Sequence, residues 1–116
     1  YGMLVIHHSC GYVTPFIPDL IDAGLNGLQS LEPAAGIDLA QIKNEFGSKI
    51  CLIGGLDSTQ TLNFGTKEDI IENVKKCVRD AGENGSYIIG PAHNILNAPL
   101  ENVEAMVYAI NKFRAI

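Results

Sequence analysis

Three histidines, three cysteines and a few well-placed carboxylates carry the chemistry open to this chain of 116 residues. His8-Ser9-Cys10 sets an imidazole and a thiol two positions apart, immediately before Gly11. Both can address one metal ion if the chain turns there. Catalytic zinc takes three protein ligands of N, S or O type and keeps a fourth position open, which makes His93 the natural third ligand and Glu32 its substitute. Cys51 and Cys77 are expected to act as small hydrophobes, one at the start of an apolar run and the other on an apolar helical stripe. A plainer reading stands beside this one. In it, His7 or His8 donates to a neighbouring carbonyl, Cys10 packs under its loop, and His93 caps a helix or meets a substrate without metal. Asp57 and Asp38 are then caps, and Gly54-Gly55 marks close backbone approach or positive φ.

These residues are positioned by a pattern that occurs four times: a short apolar run, a polar or glycine-containing bend, then a stretch of helical periodicity. Met3 to Ile6 is an unbroken apolar run, expected as a strand buried on both faces of a parallel sheet. After the HHSCG bend, Thr14 and Pro15 signal a helix start, and Phe16, Ile17, Leu20 and Ile21 form a stripe ending at Gly24. Gly27 to Leu31 is the second strand, with Leu39, Ile42 and Phe46 on the helix that follows and Gly47 closing it. Ile50 to Ile53 is the third, with Gly54 to Asp57 as its turn. Thr66 to Asp69 is a capping-box start, and Ile70, Val74, Cys77 and Val78 line one helix face until Gly82. Tyr87 to Ile89 is the fourth, with Pro91-Ala92-His93-Asn94 in its bend. A last helix starts near Pro99 and carries Val103, Met106, Val107, Ile110 and Phe113.

Consecutive βα units connect by right-handed crossovers into a parallel sheet covered by helices, so the fold class is α/β. Four units make half of a (β/α)₈ barrel, which needs about 250 residues. In such folds ligands sit on the loops leaving the carboxyl ends of the strands. Those loops hold all three histidines together with Cys10, Glu32, Gly54, Gly55, Asp57 and Asn94, and neither lysine nor arginine.

Composition narrows the function classes. With 47% hydrophobic and 18% charged residues the chain is ordinary for a single globular domain, and no apolar run approaches a membrane span. Net charge is −5 and the first basic side chain is Lys43, the reverse of a nucleic-acid surface. Three widely spaced cysteines without a CxxC do not form a disulfide framework and fit a reducing compartment. The chain opens on Tyr1-Gly2 without a signal-like segment, and a cytoplasmic location is expected.

The stretches HSCGYVTPFIPDLIDAGLNGLQSLEPAAGIDL, IGGLDSTQTLNFGTKEDI and GSYIIGPAHNILNAPLENVEAMVYAI, in that order, resemble the uroporphyrinogen decarboxylase superfamily. The resemblance covers essentially residues 1–116 as one domain and implies the carboxyl-terminal half of that family's barrel. It divides into tetrapyrrole-pathway decarboxylases and zinc-dependent methyltransferases that work with corrinoid proteins. The methyltransferases carry an H-x-C element after a mid-barrel strand and a Cys in the last-strand bend, which together bind zinc. His8-Ser9-Cys10 matches the first element, whereas the last bend offers His93 in place of Cys. The decarboxylases have a Gly-His-Gly-like bend that His93 resembles, but lack HSCG.

The resemblance therefore implies a methyltransferase with zinc on His8, Cys10 and His93 and a corrinoid carried by a partner protein. Methyl transfer runs to a thiol or from a methoxy or methylated donor. Glu32 and Asp57 join His93 as catalytic candidates, and Gly54, Gly55 and Asn94 are cofactor-binding candidates. A decarboxylase and a non-catalytic ligand-binding module are the alternatives. The 116-residue piece alone is expected to be inactive, and its open sheet edges call for a second copy or a missing amino-terminal half.

Overall fold

The computed structural model describes residues 1–115. Four strands, β1 (Ile6–Ser9), β2 (Gly27–Ser30), β3 (Cys51–Leu56) and β4 (Tyr87–Pro91), form one parallel sheet in the order β1-β2-β3-β4. Between and after them lie helices α1 (Ile17–Asp22), α2 (Leu39–Phe46), α3 (Thr61–Phe64), α4 (Lys67–Ala81) and α5 (Leu100–Phe113), with 3₁₀ turns at Thr14–Phe16 and Pro33–Ala35. This is the expected α/β class of four βα units, the form of half a (β/α)₈ barrel. Among the described residues no helix is long and apolar enough to cross a membrane.

Register sorts the strand residues onto two faces. His7, Leu28, Leu52 and Tyr87 are partners in one row, and His8, Gln29, Ile53 and Ile88 in the next. Successive rows point to opposite faces. Leu28 and Leu52 are fully buried beneath the helices, where α4 packs on β3 and β4 between α2 and α5. The other face, carrying His8, is uncovered: Ile88 is 55% exposed.

The first strand differs from expectation in place and in burial. It runs over Ile6–Ser9, so both histidines lie within it, and Met3 to Ile6 are exposed, Met3 at 81%. Among the described residues β1, the end strand of the sheet, has a neighbour on one side only. Its position is fixed by Asn26, whose side chain accepts from Val5 N–H at 2.8 Å, and by Val5 O, which accepts from the N–H groups of Asn26 and Gly27.

Helix starts are mixed. Thr66 accepts from Asp69 N–H while the Asp69 carboxylate accepts from Thr66 N–H, a complete capping box, and Asp38 caps α2 through Gln41 N–H. Thr14 and Pro15 instead form a 3₁₀ turn, and α1 begins at Ile17. In α5 the buried positions are Asn102, Ala105, Met106 and Ala109, so the inward face is rotated from the expected stripe and Val107 is exposed. The short α3 has no counterpart in the expected elements.

Candidate functional site

Strand β1 aims His8 at the uncovered face, and the chain turns at Gly11, where φ is +84°. The His8 Nε2 atom lies 3.2 Å from Cys10 Sγ. On the other side of the ring, Nδ1 is hydrogen-bonded to the side-chain oxygen of Gln29, its partner in the β1–β2 register. An amide oxygen only accepts, so this contact suits the tautomer with its proton on Nδ1, the one that turns the Nε2 lone pair toward the thiol. Metal-ligating histidines are oriented in this way by a partner on the second nitrogen.

The spacing suits two ligands of one ion. Zinc–nitrogen bonds of about 2.0–2.1 Å and zinc–sulfur bonds of about 2.3 Å, at a tetrahedral angle, place N and S roughly 3.6 Å apart. The observed separation falls about 0.4 Å short of that figure, which corresponds to closing the angle at the metal by roughly 15°. His8 and Cys10 thus fit two positions of a zinc site. Among the described residues no group of three or more His, Cys, Asp or Glu side chains comes together in metal-binding geometry. His93 follows β4, the opposite end of the sheet from β1, and its side chain is exposed. The chain brings His8 and Cys10 together and leaves His93 apart from them.

The remaining candidates fall into two groups. Glu32 is half-buried and accepts from the Thr59 hydroxyl at 3.4 Å, which links the loop after β2 to the loop after β3. Asp57 works as a loop cap: its carboxylate accepts from the N–H groups of Thr59, Gln60 and Thr61 and from the Thr61 hydroxyl. Burial opposes its charge, yet these hydrogen bonds prevail and hold the carboxyl below its ordinary value.

Gly54 and Gly55 lie inside β3 rather than in the turn after it, and both are buried. Gly54 has φ +110°, and a Cβ there would sit 2.4 Å from the Ser30 carbonyl oxygen, so the close approach of β2 and β3 requires glycine. Gly55 faces Leu39 and the Tyr87 hydroxyl on the helix side. Asn94 is exposed next to His93.

Cys77 is buried against the Gly55 carbonyl at 3.5 Å, and burial pushes its thiol up to about 11. Cys51 is half-buried in β3. Neither belongs to the His8–Cys10 group. Two surface hollows of about 580 and 640 Å³ also lie elsewhere, one along α3 and α4, the other beside Lys43, Arg79 and Ser86.

Sequence reasoning missed Gln29, Ser30 and Ser58. Gln29 is a polar residue within a short strand, a signal that acquires meaning only through the register. Ser30 has φ +110° and Leu31 +56°, conformations that cost about 1–3 kcal/mol each in residues other than glycine.

Comparison with known proteins places these features in a lineage. The family model described as uroporphyrinogen decarboxylase (URO-D) matches residues 1–113. Two proteins named methylcobamide:CoM methyltransferase MtaA, from Methanosarcina barkeri and from Methanosarcina barkeri (strain Fusaro / DSM 804), are each 33% identical over 113 residues. Each alignment covers 97% of this chain and 32% of the relative, so the chain spans about a third of the length of the curated relatives it matches.

Proposed function

Because the chain belongs to the uroporphyrinogen decarboxylase (URO-D) family, we propose that the protein carrying it is a zinc-dependent methyltransferase acting with a corrinoid protein. The observation that carries this reading is the His8–Cys10 pair, with Nε2 and Sγ 3.2 Å apart and the far ring nitrogen bonded to Gln29. The relatives named as methyltransferases support it, since similarity to them extends over 97% of the chain.

In this reading His8 and Cys10 supply two of the ligands of the zinc. When bound, zinc supplies Lewis acidity that lowers the pKa of a substrate thiol or polarises a methoxy donor. A corrinoid on a partner protein would be the methyl donor or acceptor. The residues of this chain prepare the site. Gln29 suits the His8 tautomer with its proton on Nδ1, which leaves Nε2 free as a donor. Cys10 would hold the metal as its thiolate, the ligand form of cysteine. Glu32, tethered through Thr59, is the carboxylate available to orient a small substrate, and the Asp57 cap shapes the loop on which Thr59 stands.

Transfer is favoured over decarboxylation because a metal-free reaction on a pyrrole acetate gives the His8–Cys10–Gln29 group no task. The test uses the full-length protein with methylcobalamin and a small thiol, following loss of the methyl-corrinoid absorbance. We expect turnover in the wild type and a loss of about 100-fold or more in His8→Ala and Cys10→Ala. Equal rates in all three, or release of carbon dioxide from uroporphyrinogen by the wild type, would refute the assignment.

A further inference from the structure

We propose that the groove between the carboxyl-terminal ends of α4 and α5 docks a short acidic segment of a partner protein. The groove encloses about 540 Å³. Val78, Gly82 and Phe113 form its apolar part, Lys75, Arg79 and Arg114 stand around them, and Glu83 is the one carboxylate in its lining. Val78 and Phe113 are half-buried and pack against the core from outside.

Charge is gathered here against the balance of the chain, which is −5 overall with 8 basic side chains. Half of those meet at this corner: Lys75, Arg79 and Arg114 in the lining, and Lys112 beside it. Lys75 and Lys112 lie over the Phe113 ring, 5.3 and 5.5 Å from its centre, within the range of cation–π attraction. Lys75 is paired with Glu72, and Arg79 approaches Asp80 only to 3.8 Å. Among the described residues neither Lys112 nor Arg114 meets a carboxylate. Cations near helix carboxyl ends complement the helix dipoles. That accounts for the charges but not for the half-open aromatic ring and valine set between them.

An apolar centre with arginine and an aromatic ring, rimmed by charge, is the anatomy of a protein interface. Carboxylates are the anionic partners that arginine and lysine match on a protein surface. In the occupied groove one apolar side chain of the segment seats on Phe113 and Val78, and its neighbouring carboxylates meet Arg79, Lys112 and Arg114. A nucleic acid is disfavoured by Glu83 in the groove and by the negative net charge, since phosphate tracking needs an extended basic surface. A bilayer is disfavoured because membrane-surface anchors insert protruding apolar side chains, whereas Phe113 lines a concavity. Because α4 ends at Ala81 and β4 begins at Tyr87, the groove lies at the amino ends of the strands. A segment held there leaves the loops with Cys10, Glu32 and Asp57 open, and its docking needs nothing from the His8–Cys10 pair.

Fluorescence anisotropy on the full-length protein provides the test, with a short dye-labelled peptide of Asp and Glu around a central Phe. We expect saturable binding that weakens as salt is raised and when Ala replaces the peptide's Phe. Arg79→Glu combined with Arg114→Glu, both at exposed positions, should weaken binding about 10-fold at a Tm close to that of the wild type. Lys112→Glu, which breaks no ion pair, should weaken it about 3-fold and serves if the double variant melts early. No saturable binding to the wild type, or equal binding by the wild type and the folded variants, would overturn the proposal. Tighter binding of phosphatidylserine vesicles or of duplex DNA than of the peptide would overturn it too.

Discussion

The imidazole of His8 is held from the neighbouring strand, its Nδ1 bonded to the side-chain oxygen of Gln29 directly across the β1–β2 register. The contact orients the ring on the uncovered face of the sheet and suits the tautomer with its proton on Nδ1. Gln29→Leu keeps the approximate volume and removes the acceptor. We expect zinc affinity to fall about 10- to 100-fold in chelator competition, because the donor nitrogen is no longer pre-oriented. Gln29→Glu, which retains an acceptor, should restore most of it. Equal affinities for wild type and Gln29→Leu would remove Gln29 from the account.

Gly54 is a packing glycine. A Cβ at this position would meet the Ser30 carbonyl oxygen at 2.4 Å, and φ is +110°. Gly54→Ala should therefore cost about 3 kcal/mol or more, combining backbone strain with a clash that only a shift of β2 relieves. Gly24 provides the control: its φ is +97° but a Cβ meets nothing within 4 Å, so Gly24→Ala should cost only about 1–2 kcal/mol. Denaturant midpoints of the two variants check the order.

The buried thiol of Cys77 makes stability fall at alkaline pH. Burial raises its pKa, more than the nearby Tyr87 hydroxyl and Lys76 lower it, from 9.0 to about 11. Below pH 9 the thiol is neutral in both folded and unfolded chains and its contribution is fully present. As pH rises toward 11 the unfolded chain ionises first, and up to about 3 kcal/mol is lost. Urea midpoints of wild type and Cys77→Ala should converge between pH 9 and 11. Parallel curves would contradict this. Thiol labelling at pH 8 should also reach exposed Cys10 well before Cys77.

How much of this was readable beforehand follows from the range of each interaction. The Thr66–Asp69 box and the Asp38 cap are local, made within three residues, and the sequence pattern declares them. The βα repeat and the His8–Cys10 spacing are equally local. The start of β1 is not, because Asn26 sets it from across the sheet. Gly54-Gly55 reads as a turn from its residue types, yet both glycines belong to a strand whose neighbour crowds it. Gln29, Ser30 and Ser58 bond to partners 21, 62 and 35 positions away, and no spacing rule signals such a pairing.

The exposed apolar end of the sheet carries a further expectation. Met3, Leu4, Val5 and Ile6 are all more than half exposed, leading into the β1 strand, whose outer backbone edge has no neighbour among the described residues. Such edges recruit other strands. Residues 1–116 expressed alone should self-associate, eluting and scattering light well above the 12.5 kDa of one chain. A monodisperse monomer at that mass would show that these residues tolerate water without a partner.

The central claim, that His8 and Cys10 bind a catalytic metal, is tested most directly by the metal content of the full-length protein purified without chelators. About one zinc per chain is expected in the wild type, with almost none in His8→Ala and Cys10→Ala at unchanged circular dichroism. A folded wild-type protein that transfers methyl groups without zinc, or full zinc occupancy in both variants, would contradict it.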